Sequence, residues 1–275
     1  MSKTICFFGA TGGVTNAVLT LTLQSPEYKA IALVRTPEKL RDQLRTKQKL
    51  DDATIDQRLT IIQGNALELK DVKRALLANV TAGHDPQLPF MIVTGLGGVP
   101  RLIAPRFSHP LQIAALDNPT ITEDAAKVLV SSLVEIYTEQ PHLESNKPDL
   151  TFVSTTGLAR SEGKPEDVPF GIQTLYHGVL ELPHEDKRKM EAIFRGQMKE
   201  ASPVFGSVTG IRPTLLTGEG VIGEGKGIEK VRAGTDEKPE TGYSISRADV
   251  GIWTFQNVVK KSNGGKWLGE MVSLA

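Results

Sequence analysis

Short apolar segments alternate with helix-forming segments along the first two-thirds of the chain, and this alternation limits the possible folds most strongly. The apolar segments lie at 4–9, 28–35, 59–64, 89–98, 150–157 and 207–213. Helix-forming stretches follow the first of them to Gln24 and recur at 37–50, 67–79, 122–140 and 184–201. Continuous apolar strands joined by helices are typical of parallel sheets covered on both faces. The pattern predicts an α/β protein with a doubly wound, mostly parallel sheet.

Three stretches rich in Gly, Pro and polar residues interrupt the alternation, at 97–120, 158–183 and 216–245. They follow the predicted fourth, fifth and sixth strands. Ligands of an open α/β sheet bind beyond the carboxyl ends of its strands. We therefore interpret residues 1–275 as one domain in which these stretches form substrate-side loops, the last of them in a small C-terminal portion.

A glycine-rich turn follows the first predicted strand and opens the first predicted helix. Glycine at its first position permits a tight turn, and the next glycines let a pyrophosphate approach the backbone at the helix N-terminus. Thr15 stands where a further glycine would serve helix–strand packing. The turn predicts a Rossmann-type NAD(P)-binding domain. Its candidate cofactor-binding residues are Gly9, Thr11, Gly12, Gly13 and Val14.

The end of the second predicted strand bears on the choice of cofactor. Proteins that prefer NAD place Asp or Glu there to hold the ribose hydroxyls. This chain has Arg35 at that point, Lys39 one turn later and Arg41 near it. A basic residue suits the 2′-phosphate, so we expect NADP(H) as the cofactor, with Arg35 and Lys39 as candidate contacts. A solvated helix start explains Lys39 and Arg41 equally well.

These motifs together resemble the atypical short-chain dehydrogenases/reductases, in particular the NmrA-like and NAD(P)H-binding group. The resemblance covers nearly the whole chain and depends on the order and spacing of the motifs. The motifs are GATGGV (9–14), LVR-x-P-x-K-L (33–40), GNA (64–66), VTGLGG (93–98), STTG (154–157), Lys187 with Glu191, IRPTLL (211–216) and SRADVG (246–251).

The resemblance assigns further residues to the cofactor site. Asn65 replaces an acid that lies beside the adenine in this family, and its amide can still hydrogen-bond to the exocyclic amine. By the same resemblance one pair passes beside the adenosine ribose and another borders the nicotinamide. The assigned residues are Asn65 and Ala66 near the adenine, Thr94 and Gly95 near the ribose, Pro213 and Thr214 near the nicotinamide, and also Ser154, Thr155 and Lys187.

Better-known members of this superfamily reduce carbonyls with a Ser or Thr, a Tyr, and a Lys four residues after the Tyr. Thr156 and Lys187 match the first and last of these, but Pro183 stands in the tyrosine position. The catalytic candidates are therefore Thr156, Lys187 and, from a loop, Tyr176. His177, His184 or a bound water are alternative proton donors.

Composition excludes several other classes of function. Lys+Arg and Asp+Glu both number 32 and no long basic block occurs, so nucleic acid is not an expected partner. No apolar run reaches the ~20 residues of a membrane span, and a strand-like segment begins at Lys3, so we expect neither a membrane partner nor a signal peptide. With Cys6 as the one cysteine, we expect a reducing, cytoplasmic location. The five histidines lack zinc-ligand spacing, so we expect no metal.

Three hypotheses for function remain open. The first is an NADPH-dependent reductase of a small organic carbonyl or enone. The second is a non-catalytic NADP-binding regulator or sensor of the NmrA type, which the missing tyrosine favours. The third is a non-redox isomerase or cyclase that uses the same pocket. In each case the expected partner is a small molecule, and the expected assembly is a monomer or homodimer.

Overall fold

The computed structural model describes residues 2–79, 87–98, 100–102, 114–158, 163–173, 181–262 and 264–275. The strands are β1 (Lys3–Phe8), β2 (Tyr28–Val34), β3 (Leu59–Gln63), β4 (Met91–Thr94), β5 (Pro100–Leu102), β6 (Ala114–Leu116), β7 (Asp149–Val153), β8 (Val208–Pro213), β9 (Leu215–Thr217), β10 (Ala233–Thr235), β11 (Ser244–Ser246) and β12 (Met271–Leu274).

The α-helices are α1 (Gly13–Gln24), α2 (Pro37–Asp42), α3 (Asp52–Arg58), α4 (Leu69–Leu76), α5 (Ile121–Glu139), α6 (Glu181–Gln197) and α7 (Arg247–Thr254). Single π-helical turns continue α2 over Gln43–Lys47 and α7 over Phe255–Val259. Short 3₁₀ turns occupy Pro141–Asn146, Phe170–Ile172, Ile222–Glu224 and Ile228–Lys230.

One sheet organises the fold, with the strand order β10-β12-β8-β7-β4-β1-β2-β3. Its strands pair in parallel except for β10, which runs antiparallel to β12. The order reverses at β1, which pairs with β2 on one side and with β4 on the other. Such a reversal opens a crevice at the carboxyl ends of the strands. The predicted doubly wound, mostly parallel α/β sheet is confirmed.

Helices cover both faces of the sheet because successive side chains of a strand point to opposite faces. Ile5 and Phe7 of β1 join a core that also contains α1 and α7 side chains. Cys6 and Phe8 join a second core with side chains of α4, α5 and α6. Residues of β1 are therefore apolar at consecutive positions, as their sequence pattern predicts.

Several elements differ from the sequence-based expectations. The stretch 97–120 contains the antiparallel pair β5 and β6, and 216–245 contains β10 with parts of the parallel pair β9 and β11. Helix α6 begins at Glu181, three residues before the predicted start. Strands of three residues give no periodic signal, which explains why the sequence does not reveal them. The division into one domain with substrate-side loops stays a prediction.

None of the helices in the described ranges combines the length and the apolar character needed to cross a membrane.

Candidate active site

The glycine-rich turn joins β1 to α1 and leaves the N-terminus of α1 open. Gly9 has a left-handed φ of 76°, and an added Cβ there would lie 2.9 Å from the Gly95 carbonyl carbon. The Gly12 amide donates to the Gly9 carbonyl oxygen at 2.8 Å. Gly12 is the N-cap of α1, is exposed and provides no side-chain cap. The first amides of a helix lack intrahelical acceptors, so this turn fits an anionic group. Thr11 beside it is partly exposed, whereas Val14 is buried.

Thr15 takes the place of a glycine without separating the helix from the sheet. A Cβ added to Gly95 would collide with the Thr15 hydroxyl and lie 3.4 Å from the Thr15 Cβ. The space for close packing of α1 against the end of β4 is therefore provided by the missing side chain of Gly95. Thr15 itself is 1% exposed.

Basic side chains at the end of β2 differ in their partners. Arg35 and Lys39 are exposed, and neither forms a hydrogen bond or ion pair with the residues that the structure describes. Arg41 instead pairs with Asp56, with Nη1 2.7 Å from Oδ1. Arg35 and Lys39 can therefore bind an anion without breaking an existing contact, whereas Arg41 already has a carboxylate partner.

Asn65 lies in a turn after β3 that uses part of its hydrogen-bonding capacity. Its side-chain oxygen accepts from the Leu67 amide at 3.2 Å, and its own backbone amide donates to Asp71 Oδ2 at 2.9 Å. The side-chain NH₂ group makes no hydrogen bond within the described ranges. Asn65 can thus still donate to a base nitrogen. Ala66 is partly exposed beside it, and Thr94 is buried at the end of β4.

A cavity of about 240 Å³ lies at the carboxyl ends of β7 and β8, beside the N-terminal parts of α5 and α6. It brings together five residues that the sequence predicts for the cofactor site. It also includes residues that the sequence does not assign to that site, among them Thr122 and Arg247. The residues that line it are Gly97, Gly98, Thr122, Ser154, Thr155, His184, Asp186, Lys187, Pro213, Thr214, Leu215, Leu216 and Arg247.

Three buried hydroxyl groups in this cavity have no hydrogen-bond partner among the described residues. The side-chain oxygens of Thr122, Ser154 and Thr214 are buried and form no hydrogen bond within the described part of the chain. Buried polar atoms are almost always hydrogen-bonded, so such a group indicates a site for a bound molecule. The cavity therefore fits a polar ligand such as the amide and ribose of a nicotinamide cofactor. Thr120 is the N-cap of α5, so Thr122 lies in the first turn of that helix.

Lys187 lines the cavity, and two backbone carbonyl groups hold its ammonium group. Nζ donates to the Leu96 carbonyl oxygen at 3.1 Å and to the Val153 carbonyl oxygen at 2.9 Å. An ammonium has three donors, so one remains for a ligand. Burial lowers the pKa of Lys187 to about 8, although Asp186 and Glu191 oppose this by favouring the charged form. The side chain can therefore bind a ribose and titrate at mildly alkaline pH.

Asp186 fixes the helix that carries Lys187. Its two carboxylate oxygens accept from the backbone amides of Thr122 at 3.1 Å and Glu123 at 2.9 Å. Asp186 is 3% exposed and lies within α6, so it caps α5 rather than its own helix. This contact depends on the packing of α6 beside the start of α5, which the local sequence does not indicate.

Not all of the other catalytic candidates line the cavity. Thr156 is buried, donates its backbone amide to the Pro213 carbonyl oxygen at 3.1 Å, and is not among the residues that line the cavity. Tyr176 and His177 lie outside the described residues. His184 is 3% exposed and lines the cavity. Within the described ranges, no group of three or more His, Cys, Asp or Glu side chains could hold a metal ion.

The sheet order, the glycine turn and the cavity define a Rossmann-type NAD(P)-binding fold of the short-chain dehydrogenase/reductase kind. A solved structure with this fold is a short-chain dehydrogenase/reductase from Veillonella parvula in complex with NADP. It superposes with a TM-score of 0.62 at 14% identity, covering 100% of this chain and 95% of that one. No family model matches the chain.

Curated relatives identify the family. The chain is 41% identical to oxidase pynE of Aspergillus niger over 291 aligned positions, covering 100% of this chain and 99% of that protein. It is 37% identical to reductase pytE of Aspergillus terreus over 273 positions, covering 98% and 97% of the two chains. The chain belongs to the family of these proteins, the NAD(P)-binding oxidoreductases related to short-chain dehydrogenases/reductases.

Proposed function

We propose that this protein is an NADPH-dependent reductase of a small organic carbonyl or enone. The observation that carries the proposal is the cavity in which Lys187 and buried hydroxyl groups without partners surround the position expected for the nicotinamide. The name of the relative pytE, a reductase, supports the direction of the reaction. The other relative, pynE, is named an oxidase.

Some residues of the site would bind the cofactor, and others would polarise the carbonyl group of the substrate. The N-terminus of α1 would hold the pyrophosphate, and Pro213 and Thr214 would border the nicotinamide. Lys187 would donate its third hydrogen to the nicotinamide ribose. When bound, the cofactor supplies hydride. Ser154 would polarise the carbonyl oxygen, because its buried hydroxyl lines the cavity. Thr155 also lines the cavity, whereas Thr156 does not and stays a candidate from the sequence.

The proton source must differ from that of tyrosine-dependent reductases, because Pro183 cannot donate a proton. Among the candidates that the structure describes, His184 lines the cavity one turn before Lys187. We propose His184, or water held beside it, as the donor to the substrate oxygen. Tyr176 stays a candidate from the sequence.

Selectivity for NADPH is the first consequence that can be measured. Arg35→Ala should weaken NADPH binding by roughly 1.5–3 kcal/mol, the range for hydrogen bonds to a charged group. NADH affinity should hardly change, because NADH lacks the 2′-phosphate. Calorimetric titration of both cofactors tests this. Arg41→Ala is the matched control, since Arg41 is already paired with Asp56. An equal loss for both cofactors in Arg35→Ala would disprove the phosphate contact.

Lys187 should make cofactor binding depend on pH. Its ammonium form, which carries the charge and the third donor, is lost as pH rises through about 8. NADPH affinity of the wild type should therefore fall as pH rises through and above that value, because the cofactor stabilises the protonated form. Lys187→Met should bind NADPH more weakly at neutral pH and show no such decline.

The control for that experiment is Lys189→Met on the same helix. Lys189 is exposed and pairs with Glu123 and Glu185, so its removal should leave both the affinity and the pH profile unchanged. If Lys187→Met kept the alkaline decline of the wild type, the titrating group would lie elsewhere.

A binding-only regulator is the second candidate function. Pro183 in the tyrosine position favours it, because a protein that only senses NADP(H) needs no proton donor. The two candidates share the cofactor site and differ in turnover of the cofactor.

A further inference from the structure

Arg247 lies beside the glycine-rich turn although it is more than 200 positions away in the sequence. A Cβ added to Gly13 would lie 2.5 Å from Arg247 Cδ, so the aliphatic part of the arginine covers the Gly13 backbone. The same side chain lines the cavity that contains Lys187 and Thr214. Arg247 therefore borders both the N-terminus of α1 and the cavity.

Tight packing between α1 and α7 sets this position. Gly251 lies one helical turn after Arg247, on the same face of α7. A Cβ added to Gly251 would lie 3.0 Å from the Val14 carbonyl oxygen and collide with the Ala17 side chain. The start of α7 is also capped, because Ser246 Oγ accepts from the backbone amide three residues later at 2.9 Å. Arg247 is thus held against the first turn of α1 by two rigid elements.

A segment comprising residues 216–222 encloses the same region. Gly220 has a φ of 84° and lies so close to the Gly13 carbonyl group that a side chain would collide with it. The Gln48 side-chain nitrogen donates to Asn16 Oδ1 at 2.9 Å and to the Gly220 carbonyl oxygen at 2.8 Å. The segment is therefore tied to the first turn of α1, next to the exposed Gly12.

The guanidinium of Arg247 is only partly engaged. Nη1 donates to the carbonyl oxygens of Leu216 at 3.2 Å and Gly218 at 2.7 Å. Arginine has further donors on Nε and Nη2, and these have no partner among the described residues. No carboxylate there pairs with Arg247, since the nearby Glu219 binds Lys47. The group keeps an uncompensated positive charge and donors for an anion.

We infer that Arg247 binds the pyrophosphate of the dinucleotide. The inference rests on the proposed function, which takes the pyrophosphate to lie at the N-terminus of α1. Helix α1 contains no charged residue in GVTNAVLTLTLQ, so its amides offer only the partial charge of a helix dipole. A guanidinium adds a full charge and the planar donor pair that suits phosphate oxygens. Unlike Arg35, Arg247 does not distinguish NADPH from NADH.

Three probes distinguish binding of the pyrophosphate by Arg247 from binding of the 2′-phosphate by Arg35. They are NADPH, NADH and adenosine 2′-monophosphate, which lacks a pyrophosphate. In calorimetric titrations, Arg247→Gln should weaken both dinucleotides by a similar factor, roughly 10- to 150-fold. It should leave the affinity for adenosine 2′-monophosphate unchanged. Arg35→Ala should show the opposite pattern, with losses for NADPH and adenosine 2′-monophosphate and little change for NADH.

Ionic strength gives a second readout that a merely structural role would not alter. The decline of NADPH affinity with added salt should be less steep in Arg247→Gln than in the wild type, because one ion pair is missing. Arg247→Lys should keep the wild-type salt dependence and lose part of the affinity, since lysine lacks the planar donor pair.

The outcomes are distinguishable. A wild-type protein that binds neither dinucleotide overturns the proposed function as well. If Arg247→Gln binds NADPH and NADH as tightly as the wild type does, only the role of Arg247 is overturned. If that variant loses affinity for all three probes, or if its NADPH affinity depends on salt as in the wild type, Arg247 supports the 216–222 segment and does not bind the phosphate. Either result also overturns the inference.

Discussion

Gly12→Val should abolish dinucleotide binding while the protein stays folded. Gly12 has φ −81° and ψ 140°, a conformation that valine readily adopts. A Cβ there would lie 3.2 Å from the Gly9 carbonyl oxygen, a contact that small shifts relieve. The branched side chain would project from the exposed N-cap of α1, where the pyrophosphate must approach the amides. Titration with NADPH and far-ultraviolet circular dichroism measure the two effects.

Two other glycines serve as controls for this experiment. Gly196→Ala introduces a Cβ that meets no atom within 4 Å, so it should bind NADPH as the wild type does. Gly9→Val should damage the fold itself, because φ is 76° and the Gly95 backbone is too close. Normal NADPH binding by folded Gly12→Val would mean that the turn has only a structural role.

Arg212→Met should strongly reduce the free energy of unfolding. Arg212 of β8 is 2% exposed and Glu191 of α6 is 0% exposed. Arg212 Nε donates to Glu191 Oε1 at 3.0 Å, Nη2 pairs with Glu191 Oε2, and Nη1 lies 2.8 Å from Asp236 Oδ1. Without Arg212, Glu191 would be a buried charge without a partner, which costs roughly 3–5 kcal/mol. Chemical denaturation measures this loss.

The pH dependence of the variant should identify the cause. An unpaired buried carboxyl has a folded-state pKa above its unfolded value. Such a group lowers the stability of the folded protein as pH rises and it becomes charged. The loss in free energy of unfolding of Arg212→Met, relative to the wild type, should therefore shrink on acidification. Arg232→Met is the control: its pair with Glu240 is exposed, and its loss should cost at most about 1 kcal/mol. Equal small losses for both variants would contradict the account.

The buried ion pair between Arg212 and Glu191 stabilises the fold close to the cavity. Glu191 lies one turn after Lys187 on α6, and Arg212 directly precedes Pro213 of the cavity. The pair therefore attaches the helix that carries Lys187 to the strand that borders the cavity.

The fold was predictable because its signals are local. Each of the six predicted strands is a largely apolar segment of six to ten residues, and Gly9 marks the turn between β1 and α1. The glycine that is missing at the position of Thr15 illustrates the limit of such patterns. Its packing role is fulfilled by Gly95, which is distant in sequence, so Thr15 is compatible with the turn although the pattern lacks a glycine.

The site was predictable only where it follows a strand. Ser154, Pro213 and Thr214 follow or end strands, and the sheet brings them together. Thr122 and Arg247 begin helices whose placement depends on helix–helix packing, which single-sequence periodicity does not indicate. Their sequence signals were a threonine before an acidic turn and an arginine inside SRADVG, and each has an ordinary explanation in helix capping or solvation.

The proposed reductase activity is tested most directly by following hydride from cofactor to product. The protein would be incubated with NADPH deuterated at the transferred position and with a panel of aldehydes, ketones, quinones and enones. We predict consumption of NADPH and deuterium in the reduced product for at least one of these classes, and much slower consumption of NADH. Tight NADPH binding without consumption or deuterium transfer across the panel would contradict the account and favour the regulator.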